Sequence, residues 1–88
     1  MISNEELNRM RWAARRGMLE LDLVLEPFVT ARYVQLSVSE RQCLQTLLTC
    51  EDQDLFAWLL QREEPPDSEQ RALVRKILEF AHTPPADR

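Results

Sequence analysis

The segment ARRGMLELD, residues 14–22, decides where the first helix of this chain ends and where the second begins. It contains Gly17, the only glycine among the 88 residues. Ser3 and Glu6 form a capping-box pattern, and the apolar spacing that follows predicts a first helix over residues 4–15. Gly17 then stands where a helix C-cap in the left-handed conformation is expected, because glycine adopts that conformation at no steric cost.

The run that follows Gly17 is predicted to be a second helix, although its leucines also alternate with acidic residues as in a half-buried strand. Helix is favoured because leucine and glutamate are strong helix formers and no other segment supplies a partner strand. Wound as a helix, the run has one broad apolar face, while Leu19 and Leu23 lie on another side. The helix is therefore either central in a bundle or docked against another molecule. Pro27 is expected to kink it or to divide it into two pieces.

Three further helices are predicted from capping and periodicity. Ser37 and Glu40 form a second capping box, which opens the third helix. The acidic residues at positions 51–54 suit the start of a short fourth helix, whose inward face is expected to include Leu60. After a break at two adjacent prolines, a last helix follows, in which apolar residues recur with the 3.6-residue period.

These elements predict the fold class, which is all-α: a compact five-helix bundle that forms a single domain. The bundle is expected over residues 1–82, and residues 83–88 are expected to be a disordered tail. Trp12, Phe56, Trp58 and Phe80 are expected in the core, because buried aromatic side chains dominate the stability of small bundles.

The charge balance of the chain argues against a nucleic-acid partner. The formal net charge is −4, whereas phosphate binding rests on clustered positive charge. No apolar run approaches the roughly 20 residues that span a bilayer, so direct membrane insertion is not expected. The N-terminus has neither the apolar core of a signal peptide nor the acid-free character of a mitochondrial presequence. We therefore expect a cytoplasmic protein that is a monomer when free.

The sequence offers no candidate for a catalytic or a metal site. Cys43 and Cys50 would lie two helical turns apart, about 10 Å by the helical rise, which is too far for a disulfide and suits a reducing compartment. His82, the only histidine, has no orienting partner near it in the sequence. The spacing of these three residues matches no zinc pattern. No catalytic residue, metal or cofactor is therefore assigned, and the protein is not expected to be an enzyme.

Arg16 and Glu20, on either side of Gly17, have two interpretations. On an uninterrupted helix, opposite charges four residues apart form a surface pair worth a few tenths of a kcal/mol. Gly17 interrupts the helix, so this turn would instead present an arginine, a bare backbone and a carboxylate together. The second interpretation is a docking site, since exposed loops between helices often carry function.

The same residues resemble a known motif. Residues 16–20, RGMLE, read as R-G-x-x-E, and the wider RRGMLELD together with the later DQDLFAWL, residues 52–59, resembles the succinate dehydrogenase flavin-assembly factor family (SdhE type). The likeness extends over about residues 8–60. Members of that family are small five-helix bundles. They bind the flavoprotein subunit of succinate dehydrogenase, and in bacteria the related fumarate reductase subunit, and promote covalent attachment of FAD.

The resemblance implies a partner-binding site around the motif and a purely orienting role. The family's motif maps onto Arg16, Gly17 and Glu20. Neighbouring residues extend the site, so the expected partner-binding residues are Arg15, Arg16, Gly17, Met18, Glu20 and Asp22. The chemistry would belong to the flavin and its target, because a histidine of the flavoprotein attacks an activated methyl group of the flavin. The helper would need no acid or base, and would bring the two reacting groups together.

Two other functions are open at this point. A small acidic adaptor or antitoxin-like helical module would bind a different partner without any flavin. An enzyme or a flavin carrier would be yellow when purified or would turn over flavin. Affinity capture from cell extract separates an adaptor from an assembly factor, because only the assembly factor is expected to capture a flavoprotein subunit.

Overall fold

The chain folds into five α-helices over residues 2–87, the part that the structure, a computed structural model, describes. The helices are α1 (Asn4–Ala14), α2 (Leu19–Arg32), α3 (Val38–Leu47), α4 (Asp52–Leu59) and α5 (Ser68–His82), with short 3-10 turns at Tyr33–Gln35 and Pro85–Asp87. The predicted all-α bundle is confirmed. The radius of gyration is 12.1 Å, close to the value of about 12 Å that a single domain of this length should have.

The predicted boundaries at the two ends of the chain are not tested. Met1 and Arg88, the outer ends of the predicted domain and tail, lie outside the described residues. The disorder expected for residues 83–88 stays a prediction.

α2 lies at the centre of the bundle, where it packs against α1, α4 and α5. Its inner side buries Leu21, Leu25 and Phe28. Their spacing of four and three residues follows the helical period and not the alternation of a strand. The helix is continuous through Pro27, so the alternative of two separate pieces is wrong. Proline removes the N–H that would bond to the carbonyl of Leu23, and its ring crowds that carbonyl. The residues buried before and after Pro27 hold the helix together.

The large aromatic side chains divide between the core and the surface. The rings of Phe28 and Phe80 meet edge to face in the core, with centroids 5.7 Å apart. Trp12 is 70% exposed, so the expectation that it lies in the core is wrong. The reason is its register, because α1 turns Met10 and Ala14 inward, and a residue midway between two such positions faces away from them.

The two predicted capping boxes form to different extents. At the start of α3 both bonds are present, because the Ser37 hydroxyl accepts from the Glu40 N–H and the Glu40 carboxylate accepts from the Ser37 N–H. At the start of α1, Ser3 accepts from the N–H of Glu6 at 3.1 Å. The Glu6 carboxylate accepts instead from the Tyr33 hydroxyl at 2.8 Å. Tyr33 is buried, and a buried hydroxyl group requires a hydrogen-bond partner.

α4 ends in a tight turn that changes the direction of the chain. Trp58 is buried as predicted, but Leu60, expected to face inward, is 44% exposed. The N–H of Arg62 donates to the carbonyl of Ala57 at 2.9 Å, which is the bond of a Schellman motif. Gln61 takes the left-handed conformation that this motif requires, with a φ of 61°. Leu60 is the C-cap just before this turn and therefore lies at the surface.

Candidate functional site

The candidate site is the linker between α1 and α2, residues 15–18, together with the first turn of α2. Gly17 has the left-handed φ that its sequence position predicts, 78°. The expectation that Gly17 is the C-cap of α1 is wrong. Arg15 fills that position with an extended backbone and donates its N–H to the carbonyl of Trp12. Gly17 instead redirects the chain into α2. A Cβ atom added at Gly17 would meet nothing within 4 Å.

The side chain of Arg16 points into the protein, so the expectation that it is presented at the surface is wrong. Only 17% of this side chain is exposed. Its Nε donates to Oδ1 of Asp52 at 2.7 Å. Its Nη1 donates to the carbonyls of Ala13, at 3.0 Å, and of Leu48, at 2.7 Å. Its Nη2 donates to the carbonyl of Cys50 at 2.9 Å.

Arg16 donates hydrogen bonds to carbonyls at the C-terminal ends of two helices. Ala13 lies in the last turn of α1, and Leu48 is the C-cap of α3. Carbonyls at helix ends lack intrahelical partners and carry the negative end of the helix dipole, so a cation is favourable there. The planar fork of a guanidinium reaches several acceptors together, unlike a lysine ammonium. The sequence could not reveal this arrangement, because the Leu48 acceptor lies 32 positions further along the chain.

Asp22 and Met18, both predicted to bind a partner, hold the linker in place from within the protein. Oδ1 of Asp22 accepts from the N–H of Arg16 at 2.7 Å, which ties the linker to the first turn of α2. Met18 is the N-cap of α2, and its carbonyl accepts from the N–H groups of Leu21 and Asp22. The side chain of Met18 is half-buried against the core. Both residues therefore shape the linker.

Arg15, Gly17 and Glu20 form the outward side of the site. Glu20 is exposed in the first turn of α2, and within the described part of the chain its side chain has no hydrogen-bond or ion-pair partner. The guanidinium of Arg15 lies over the ring of Trp12, 5.4 Å from the ring centroid. Its Nε is 3.7 Å from Oε2 of Glu26. This pair is exposed and contributes little to stability.

An apolar surface continues from the motif along α2. We call Leu19, Leu23 and Pro27 the outer face of α2. The two leucines are 67% and 65% exposed, and all three residues border an open groove of about 760 Å³ that extends to Arg32. The sequence pattern placed both leucines off the main apolar face, which is confirmed. Because clustered exposed apolar residues mark interaction surfaces, the position of Leu19 and Leu23 next to the R-G-x-x-E segment could have added them to the predicted binding residues.

The cysteines and the histidine offer no reactive centre. Cys43 and Cys50 are free thiols, and burial raises the pKa of both, so they stay protonated at neutral pH. His82 is exposed at the end of α5. Within residues 2–87, no group of three or more His, Cys, Asp or Glu side chains could hold a metal ion. None of the helices described above is long and apolar enough to cross a membrane.

Known proteins similar to this chain share one function in their names. The model of a family described as flavinator of succinate dehydrogenase matches residues 8–81. A Pseudomonas savastanoi pv. phaseolicola protein named FAD assembly factor SdhE is 51% identical over 79 residues, which cover 90% of this chain and 94% of that protein. The FAD assembly factor SdhE of Pseudomonas aeruginosa is 48% identical over the same shares. That of Yersinia pseudotuberculosis is 48% identical over 69 residues, 78% of each chain.

Proposed function

Since this chain belongs to the family of flavinators of succinate dehydrogenase, we propose that it binds the flavoprotein subunit of that enzyme and promotes covalent attachment of FAD to a histidine of the subunit. The similar proteins named FAD assembly factor SdhE support this function. In this role the protein is an assembly factor and not an enzyme, because the flavin and the target histidine supply the reacting atoms.

The observation that carries the proposal is the difference between the two sides of the R-G-x-x-E segment. On the inner side, Arg16 is bonded to the protein itself. On the outer side, Gly17 offers a bare backbone and Glu20 an exposed carboxylate, beside the leucines of the outer face of α2. Unpaired charge next to exposed apolar surface gives the isolated fold little beyond the favourable effect of Glu20 on the helix dipole of α2, but it suits recognition of another protein.

Orientation of the partner is the means by which this surface would act. The outer face of α2 supplies apolar contact area, and Glu20 fixes the register through a charge that becomes desolvated in the complex. Gly17 allows a backbone segment of the flavoprotein to approach closely. Held in this way, the histidine and the flavin methyl group of the flavoprotein meet in a reactive arrangement, which lowers the entropic part of the barrier. The helper transfers no proton.

The proposal extends to the setting in which the protein acts. The flavoprotein subunit of fumarate reductase is a second, related target of the same surface. The free protein is a cytoplasmic monomer, and its outer face of α2 is covered only when the flavoprotein binds.

Covalent flavinylation in a purified system tests the proposal. The flavoprotein subunit is produced in cells that lack this protein and is then incubated with FAD, with or without the wild-type chain. In-gel flavin fluorescence after denaturing electrophoresis measures the covalent fraction, which we expect the chain to raise. No rise would contradict the proposal, and capture of a partner other than a flavoprotein from cell extract would favour an adaptor.

The Glu20→Ala variant tests whether the motif carries the binding. We expect it to weaken binding of the flavoprotein subunit about tenfold, because it removes a charge that is paired only in the complex. Glu63→Ala is the matched control, since Glu63 is an exposed carboxylate between α4 and α5, and it should bind as wild type does. Equal affinities of the two variants, measured by calorimetry, would remove Glu20 from the interface.

A further inference from the structure

Two distant stretches of the sequence, residues 14–22 and 52–59, meet at one ion pair. Nε of Arg16 donates to Oδ1 of Asp52 at 2.7 Å, across 36 positions of the chain. Asp52 is the first residue of α4, so its carboxylate also lies at the positive end of that helix dipole. Residues 52–59 therefore supply a carboxylate that binds the guanidinium of residues 14–22.

The guanidinium of Arg16 has little capacity left for a partner protein. A guanidinium has five N–H donors. Four are used inside the protein, one by Asp52 and one each by the carbonyls of Ala13, Leu48 and Cys50. One N–H of Nη2 remains, so a two-point contact with a carboxylate of the flavoprotein would have to replace at least one of these bonds. A carbonyl left unpaired on burial is costly. The geometry therefore does not favour Arg16 as a contact residue.

The backbone of Arg16 connects this internal anchor to the outward surface. Its N–H donates to Asp22 in the first turn of α2, and the next residue is Gly17. Arg16 is thus held at both ends, by its side chain to α1, α3 and α4 and by its backbone to α2. The path along which Gly17 and Glu20 are presented is fixed before any partner arrives. A linker that is already ordered loses less conformational entropy on binding.

We propose that Arg16 and Asp52 form a positioning pair, which holds Gly17 and Glu20 in the geometry that binds the flavoprotein and does not itself contact it. This inference rests on the proposed function. It separates the roles of the motif residues, because Arg16 acts inside the protein whereas Gly17 and Glu20 act at its surface.

A double-mutant cycle on the affinity for the flavoprotein subunit tests the pair. Arg16→Ala, Asp52→Ala and the double variant are compared at a low temperature at which circular dichroism shows all of them to be folded. We expect each single variant to raise Kd about tenfold, and the double variant to be no weaker than Arg16→Ala alone, as for two residues that act as one unit. Unchanged or tighter binding by Asp52→Ala, or losses that add, would indicate direct contact by Arg16 and overturn the proposal.

Two control variants separate positioning from other effects. Asp54→Ala removes an exposed carboxylate from the same first turn of α4, and it should leave Kd unchanged. Ile77→Val lowers the melting temperature through the core, and it should also leave Kd unchanged. A weaker complex with Ile77→Val would mean that global stability, and not the pair, sets the affinity.

Amide hydrogen exchange in the free protein tests the same pair without a partner. We expect the Arg16 amide, which is bonded to Asp22, to exchange about tenfold faster in Asp52→Ala than in wild type, because the linker opens locally. The Ile77 amide in α5 should keep its rate. Equal rates at Arg16 would overturn the positioning role whether or not the flavoprotein binds. Failure of the wild-type chain to bind the flavoprotein would instead contradict the proposed function.

Discussion

At Gly17 the backbone conformation, and not the space around the residue, requires glycine. Its φ is 78°, and a Cβ atom there would meet no atom within 4 Å outside Gly17 and its two chain neighbours. A side chain would therefore cost conformational energy of about 1 kcal/mol without a clash in the free protein. Small and large side chains at Gly17 should therefore strain the backbone equally, and only a large one should block a partner that approaches this residue.

Gly17→Ala and Gly17→Arg should destabilise the protein equally and bind differently. Each should lower the free energy of unfolding by about 1 kcal/mol and Tm by about 4–8 °C, since both carry the same backbone strain. Only Gly17→Arg should lose the flavoprotein, because its long side chain occupies the place where the partner backbone approaches. Thermal melts by circular dichroism and a pull-down on the same preparations measure both effects. Capture of equal amounts by the two variants would show that no partner approaches Gly17 closely.

At the scale of single elements, α2 has apolar residues on two sides with different uses. Leu21 and Leu25 are buried in the core, whereas Leu19 and Leu23 of its outer face are exposed. Apolar burial drives association as it drives folding. Most of each exposed leucine is in contact with solvent in the free bundle, so we expect the main contribution of these side chains in the complex.

Leu23→Ser should weaken flavoprotein binding about tenfold and change the free energy of unfolding by less than about 0.5 kcal/mol, because the leucine is exposed until the partner covers it. Leu60→Ser is the matched control. Leu60 is also an exposed leucine, 44% accessible at the end of α4, and its replacement should leave binding unchanged. Calorimetric titration and urea unfolding provide the two measurements. If both variants bind alike, the outer face of α2 is not part of the interface.

The whole molecule is poorly suited to carrying FAD itself. Its helices begin with acidic side chains, including Glu40 in α3 and Glu69 in α5. A helix N-terminus binds phosphates when its N–H groups are free to meet an anion. Gly17 precedes the N-terminus of α2, but Glu20 and Asp22 occupy the first turn there and would repel a pyrophosphate. The open groove beside the outer face of α2 is bordered by two acidic side chains, Asp22 and Glu26, and by the basic Arg32.

The purified protein should therefore be colourless, and it should raise the covalently flavinylated fraction of its target without binding FAD tightly. FAD is titrated into the isolated protein while flavin fluorescence or heat is recorded, with buffer alone as the control. We expect no saturation in the low micromolar range, because electrostatic repulsion opposes the phosphates. Saturable binding in that range would mean that the protein is a flavin carrier.

The sequence by itself determined the five helices and the left-handed glycine in the linker, whereas it left open whether α2 is central in the bundle or docked against another molecule. These features depend on patterns that act within one or two helical turns: the capping pair Ser37 and Glu40, the 3.6-residue apolar period and the conformational freedom of Gly17. The R-G-x-x-E segment also indicated the family. Local patterns of this kind can be interpreted without knowing how the helices pack.

Only the tertiary structure decided which side of the linker each motif residue faces. Arg16 turns inward because its acceptors are the helix ends and the Asp52 carboxylate, up to 36 positions away. Glu6 leaves its capping box for the Tyr33 hydroxyl, 27 positions away, whereas Trp12 stays at the surface because α1 buries its other side. The physical reason is common to all three: a side chain takes the partner or the burial that packing brings to it, and packing joins residues that no local pattern connects.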